Sequence, residues 1–369
     1  MMKAAILGLE SGPRRGRLYL DLCRVRQPSM RACELFPSLS KGLVMKAAWY
    51  SLNGEAVDVL KFGELPTPQP AAGEVRVKLA TSGVNPSDVK SRKTRPITDA
   101  EIIPHSDGAG VIDAVGPGVS SARIGERVWI WNGQWQRPWG TACEFITLPE
   151  QQAVLLPEHI DFAAAACFGI PALTAIQAIH LAGDLRDKTV LVVAASSAVG
   201  HYAAQLAVLQ GARVIGTVGS EAKAEHVRRV GVQELIHYKT ESVRDKIKAL
   251  THGQGVDVVI DMDFSTSHQF TADGSLKRHG TLVCYGSNVA GEVAVNFRPL
   301  LWNSITMKFF LVYDLTQADR QHGLHRLSQL LQDNALVHAV AAQYPLQDIV
   351  KAHQAVESGQ VMGNVVITL

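Results

Sequence analysis

The sequence predicts an α/β protein in which a six-stranded, doubly wound parallel sheet follows a domain built like a β-barrel. Two observations carry this. The run 189–217, TVLVVAASSAVGHYAAQLAVLQGARVIGT, reads as strand, small-residue turn, helix and strand. Before about Asp161 the texture is short β-rich segments broken by turns; after it, helices alternate with buried strands.

In chain order, the barrel-like part supplies strand segments at 47–50, 75–79, 110–115, 127–131 and 143–146. The Gly116-Pro117-Gly118 turn is the clearest break between them. An Ala-rich helix then precedes Pro171, and a second helix runs from Thr174 to Ala182. Six apolar strands follow at 190–194, 213–217, 234–237, 256–261, 281–285 and 305–312, the number a full dinucleotide fold requires. Helices around 324–331 and 349–358 and a last strand at 364–369 cannot all join that sheet. They are expected to return to the first domain, which gives 45–165 with 313–369 as one domain and 166–312 as the other.

The first strand of the 189–217 unit is continuously apolar, as expected where helices cover both faces of a sheet. The small side chains from Ala194 to Gly200 let the backbone approach a ligand, and the next helix offers free N–H groups and its positive dipole end to an anion. Gly211 is expected to close that helix in a left-handed cap. Only Gly200 survives of the G-x-G-x-x-G pattern, so the turn alone fits a phosphate site or a phosphate-free crossover equally. The end of the second strand carries no Asp or Glu for a ribose 2′-hydroxyl. Thr217, Val218, Gly219 and Ser220 stand there, with Ser220 as helix cap and Lys223 one turn on, a set suited to a 2′-phosphate and hence to NADP(H).

The net charge of +2 conceals an asymmetry. Residues 1–44 hold eight Lys or Arg and three acidic residues, leaving 28 basic against 31 acidic in the body, so binding to nucleic acid is not expected. Met45-Lys46-Ala47-Ala48 reads as a start and is echoed by Met2-Lys3-Ala4-Ala5, so residues 1–44 are expected to be a disordered extension. Five scattered cysteines without a CxxC pair indicate neither a disulfide framework nor a zinc cluster, and a reducing, cytoplasmic setting fits them. No apolar run reaches the length of a membrane span.

Several motifs together resemble the medium-chain dehydrogenase/reductase superfamily, in its zinc-independent, zeta-crystallin-like quinone oxidoreductase branch. They are Gly83-Val84-Asn85-Pro86-Ser87-Asp88-Val89-Lys90, Asp107-Gly108-Ala109-Gly110-Val111 with Val115-Gly116-Pro117-Gly118-Val119, Gly125-Glu126-Arg127-Val128, Pro171-Ala172-Leu173-Thr174-Ala175 and Gly216-Thr217-Val218-Gly219-Ser220. The resemblance spans Met45 to Leu369 and implies a GroES-like barrel joined to a Rossmann domain. It places Asn85 and Ser106 where related alcohol dehydrogenases carry zinc ligands, with Cys167 near a third, so no metal is expected; His105 is then a loop residue and Cys167 a small buried hydrophobe.

The resemblance also assigns the cofactor contacts. Ser197, Ala198 and Val199 match the pyrophosphate turn, Ser220, Lys223 and Tyr238 the 2′-phosphate end, and Asn85 and Thr174 the nicotinamide end, while Ser287 and Asn364 match further cofactor-lining positions. It implies hydride transfer from NADPH to a quinone or another α,β-unsaturated carbonyl, in a homodimer. Asn85 would position the reactants, with solvent as the proton source and Lys90 or Asp88 as weaker candidates, although Asp88 also reads as a residue bonding the backbone of its own turn. The alternatives are a 2-enoyl thioester reductase of the same superfamily, or a non-catalytic NADPH-binding crystallin or RNA-binding relative. Trp129, Trp131, Trp135 and Trp139 form either an aromatic wall for a flat substrate or core and subunit packing.

Overall fold

The computed structural model describes residues 43–289 and 291–369. Residues 1–42, most of the expected extension, lie outside the described residues, and Val44 already opens the first strand.

Seven strands come before the cofactor-type sheet. They are β1 (Val44–Trp49), β2 (Lys61–Pro66), β3 (Glu74–Val84), β4 (Asp107–Val115), β5 (Arg127–Ile130), β6 (Phe145–Pro149) and β7 (Ala153–Leu155). Six more follow: β8 (Thr189–Val192), β9 (Arg213–Val218), β10 (Glu234–His237), β11 (Val256–Asp261), β12 (Leu276–Cys284) and β13 (Thr306–Phe309). The chain ends with β14 (Val340–Pro345) and β15 (Asn364–Thr368).

In the barrel sheet the order is β14-β15-β3-β4-β5-β7, with β6 also on β3. The long β3 is its hub, since one of its edges pairs with β4 while the other pairs with β6 in its first half and β15 in its second. Alternation along β3 turns Val75, Val77 and Leu79 into the barrel core beside Ile112, Val128 and Ile146.

The second sheet runs β10-β9-β8-β11-β12-β13, entirely parallel, which is the doubly wound order expected from the sequence. Two strands depart from expectation. β12 begins at Leu276, which pairs with Val256 ahead of a register shift, and β13 stops at Phe309 because Val312–Asp314 coil into a 3₁₀ turn beside the cleft.

The return to the barrel also comes later than residue 313. The Gln317–Gln332 helix buries Leu327, Leu330 and Leu331 in the same core as Leu173, Ile176 and Ile179 of the Leu173–Ala182 helix. That apolar stripe keeps it with the second sheet. Sheet pairing with the barrel resumes only at β14. The core behind the second sheet also takes in Ala109 and Trp129 from the barrel, so the two halves share packed interior across the cleft.

Candidate active site

The site begins at the turn after β8. Ala194 adopts a left-handed backbone (φ 53°), and its N–H donates to the Thr217 hydroxyl at 2.8 Å, which helps fix a conformation more often given to glycine. Ser197 caps the Ala198–Leu209 helix by accepting from the Gly200 N–H at 3.0 Å. A Cβ on Gly200 would lie 2.2 Å from the Ala194 carbonyl oxygen, so the third glycine of the pattern is required while the first two are dispensable. The helix is followed by Gly211 at φ 85°, the expected left-handed cap.

Along β9 and β10 the turn opens into a cavity of about 350 Å³, lined among others by Thr217, Gly219, Lys223, Tyr238, Gly359 and Gly363. Ser220 caps the Glu221–Arg228 helix and accepts from the Lys223 N–H at 3.4 Å; it is not among the residues lining the cavity, although Gly219 and Lys223 on either side of it are. The Lys223 ammonium donates to the Gly359 carbonyl at 2.7 Å, and partial burial lowers its pKa, with nearby Lys239 adding to the effect. Tyr238 is half-exposed beside Gly219. Asn364 departs from expectation. Its side-chain amide donates to the Ala339 carbonyl at 3.0 Å and is buried, so it holds the loop before β15 together and does not line the cavity.

A second cavity, of about 310 Å³, adjoins the first and shares Pro86, Ser197, Ala198 and Met262 with it. Asn85, Lys90, Thr174, Ser197, Ala198, Val199 and Ser287 all line it, which brings most of the residues expected near the reacting end to one place. Asn85 precedes the Pro86–Thr94 helix and donates from Nδ2 to Asp107 Oδ2 at 2.9 Å. Its N–H donates to Asp88 Oδ2 at 2.7 Å, so Asp88 closes a capping box as the turn reading anticipated. Both carboxyls are buried: Asp88 is pushed up to about 7, and Asp107, with one oxygen unpartnered, is raised well above the usual carboxylate range.

Lys90 and Ser287 are joined to each other. The Lys90 ammonium donates to the Ser287 carbonyl at 3.0 Å, and the Ser287 hydroxyl donates to the Val289 carbonyl at 2.7 Å. Ser287 therefore offers the cavity backbone more than hydroxyl. Three pocket residues escaped sequence reasoning. Ser87 and Tyr313 share a hydrogen bond of 2.8 Å between their hydroxyls, and Tyr285 lines the pocket with a buried hydroxyl that has no partner. Tyr285 and Tyr313 follow the C-terminal ends of β12 and β13, where ligands gather in open α/β sheets, and that position was the available signal.

None of the four clustered tryptophans lines this pocket. Trp129 is fully buried edge-on to Phe168, Trp131 lies under the Arg320 guanidinium, and Trp139 packs on the barrel core. Trp135 alone approaches, stacking on Tyr313 with centroids 5.0 Å apart. The residues at the expected metal positions do not fit a metal. Asn85 is committed to Asp107, and Cys167 is buried, its thiol donating to the Ala163 carbonyl at 3.4 Å. Among the described residues no group of three or more His, Cys, Asp or Glu side chains is arranged to hold an ion. His105 lies in the loop before β4, as expected, and is fully buried there, between Ser82 and His353.

A barrel and a doubly wound sheet that share a cleft at the strand ends define a GroES-like domain joined to a Rossmann-type domain. Residues 71–158 match the model described as alcohol dehydrogenase GroES-like domain, and residues 198–329 match that described as zinc-binding dehydrogenase. The quinone oxidoreductase of Rattus norvegicus is 30% identical over 327 residues, covering 85% of this chain and 94% of that protein. A 2-haloacrylate reductase of a Burkholderia species is 28% identical, covering 88% of this chain and 99% of that protein. A mycobacterial structure complexed with NADPH superposes with a TM-score of 0.78 at 28% identity, covering 88% of this chain and all of the other. The chain belongs to the quinone oxidoreductase branch of the medium-chain dehydrogenase/reductase superfamily. Among the described residues no helix is long and apolar enough to cross a membrane.

Proposed function

We propose that this oxidoreductase uses NADPH to reduce a quinone or another α,β-unsaturated carbonyl without a metal. The observation that carries the reading is the joined pair of cavities, which runs from Lys223 and Tyr238, past the N-terminus of the Ala198–Leu209 helix, to an apolar pocket with a few hydroxyls. NADPH bound there supplies a hydride. Lys223, Ser220 and Tyr238 hold the 2′-phosphate, the N–H groups of Ala198 and Val199 meet the pyrophosphate, and Thr174 and Asn85 orient the nicotinamide end. A conjugated acceptor delocalises the incoming charge, so hydrogen bonds suffice where a simple ketone would call for a Lewis acid.

Among the described residues the thiols of Cys143, Cys167 and Cys284 are free and buried, which agrees with a reducing, cytoplasmic setting. A second copy of the chain would cover the free edge of β13, where Phe297, Leu301, Trp302, Phe309 and Leu311 are exposed. The test is consumption of NADPH and of NADH with phenanthrenequinone, beside a 2-enoyl-CoA and beside an alcohol with NADP⁺. Turnover of the quinone with NADPH is expected. Tight NADPH binding without turnover of any acceptor overturns the reading, and preference for the thioester replaces the substrate class.

A further inference from the structure

We propose that the paired hydroxyls of Ser87 and Tyr313 are the proton-donating end of the reaction pocket, binding the acceptor's carbonyl oxygen and protonating it as hydride arrives. This rests on the reductase reading above.

The two side chains come from opposite sides of the cleft. Ser87 lies in the first turn of the Pro86–Thr94 helix of the barrel, and Tyr313 follows β13 of the parallel sheet. Their oxygens are 2.8 Å apart and both residues line the cavity, against a wall that includes Ile170, Leu311 and Val312. Two hydroxyls bonded to each other use one proton between them. With Tyr313 donating to Ser87, the Ser87 O–H is free for a third oxygen, and the pocket places the acceptor there.

Tyr313 is held as a donor of fixed position should be. Its ring stacks on Trp135 at 24°, and its backbone carbonyl accepts from Asn132 Nδ2 at 2.8 Å. Burial, reinforced by Asp88 and Asp107 and opposed by hydrogen bonds with Ser87 and Ser106, raises its pKa and keeps the phenol protonated near neutral pH. Lys90, Asp88 and Asn85 are committed elsewhere, to the Ser287 carbonyl, the Asn85 N–H and Asp107 respectively, and the unpartnered Tyr285 hydroxyl has no second hydroxyl to pass it a proton.

The step balances. A C–H bond of the dihydronicotinamide breaks and its hydride carries two electrons to the acceptor, forming a C–H bond at the β-carbon of an enone or an O–H bond at one oxygen of a quinone, and the negative charge is left on the remaining carbonyl oxygen. That oxygen takes the Ser87 proton, Ser87 takes the Tyr313 proton, and water returns one to the phenolate. The acceptor is reduced by one hydride and one proton, and the nicotinamide is oxidised.

The experiment compares wild type with Tyr313→Phe, Ser87→Ala, the double variant and Ser87→Thr, using NADPH and phenanthrenequinone. Each single loss of hydroxyl is expected to lower kcat on the order of 10²-fold with NADPH affinity unchanged. The double variant is expected to be no slower than the worse single variant, and Ser87→Thr to keep the rate. Unchanged kcat in the singles, losses that multiply in the double, or no rescue by threonine overturns the proposal. If the wild type reduces no acceptor, the reductase reading fails by itself. The pair is then judged by quinone binding, read from tryptophan quenching: weaker binding in both singles supports it, and binding equal to wild type overturns it.

Discussion

The Lys223 ammonium and the Gly359 carbonyl are 2.7 Å apart, which ties the helix after β9 to the loop that leads into β15 of the barrel. The contact crosses the cavity at the end proposed for the 2′-phosphate. An ammonium has three donors, so Lys223 can keep Gly359 and still meet a phosphate oxygen.

Replacing Lys223 with Ala removes a charge-assisted donor that only the phosphorylated cofactor uses. NADPH is expected to bind about tenfold more weakly, with NADH little changed. Titration of cofactor fluorescence measures both, and equal losses would remove the reason for assigning NADP(H).

The buried pair His105 and His353 predicts a loss of stability in acid. Their Nε2 atoms are 3.0 Å apart, His105 Nδ1 is 2.8 Å from the Ser82 hydroxyl, and Arg92 faces His353. Burial pushes His105 down to about 3 and His353 well below its usual value, with the His105 and Arg92 charges adding to the latter. A base with a depressed folded-state pKa contributes stability that is complete above about pH 6.5 and lost as pH falls, by up to about 1.4 kcal/mol per pH unit per group. The His353→Gln variant removes one such group. Urea unfolding between pH 4 and 7.5 is expected to show a shallower acid limb than wild type; an identical slope would contradict this account.

Tyr285 carries a buried hydroxyl without a partner, and such a group costs stability. The Tyr285→Phe variant keeps the ring and removes the unmet donor. Its unfolding free energy is expected to equal that of wild type or exceed it by about 1 kcal/mol. A clear loss of stability would show that the hydroxyl is satisfied in solution.

Phe309 lies on the exposed edge strand β13, and a charge there opposes burial of that edge. Phe309→Glu is expected to convert a wild-type dimer to monomer in size-exclusion light scattering while the monomer still binds NADPH. A dimer unaffected by the substitution would place the contact elsewhere.

Much of this architecture is legible in the sequence because its signals are local. The continuous apolar strands, the small residues from Ala194 to Gly200 and the caps at Ser197 and Ser220 set backbone conformation within a few residues, and β10 and β11 occupy their expected spans. Asp88, too, is recognisable as a cap from its place three residues after Asn85. The core entered by the Gln317–Gln332 helix is not legible, because its apolar stripe does not say which of two cores it will enter. The tryptophan cluster leaves two readings open in the sequence for the same reason, since four aromatics close in sequence are sent to different neighbours by the strand and loop that carry them.

Sequence alone determined the order of elements, the doubly wound sheet and the small-residue turn after β8, because hydrogen bonding and steric preference there act between near neighbours in the chain. Tertiary structure decided which polar groups remain available. It turned Asn364 onto Ala339, committed Lys90 to Ser287, and brought Ser87 and Tyr313 within 2.8 Å across 226 residues of chain. The last two outcomes depend on how the two halves pack across a cleft and the first on how β14 and β15 meet, and no local pattern encodes that geometry.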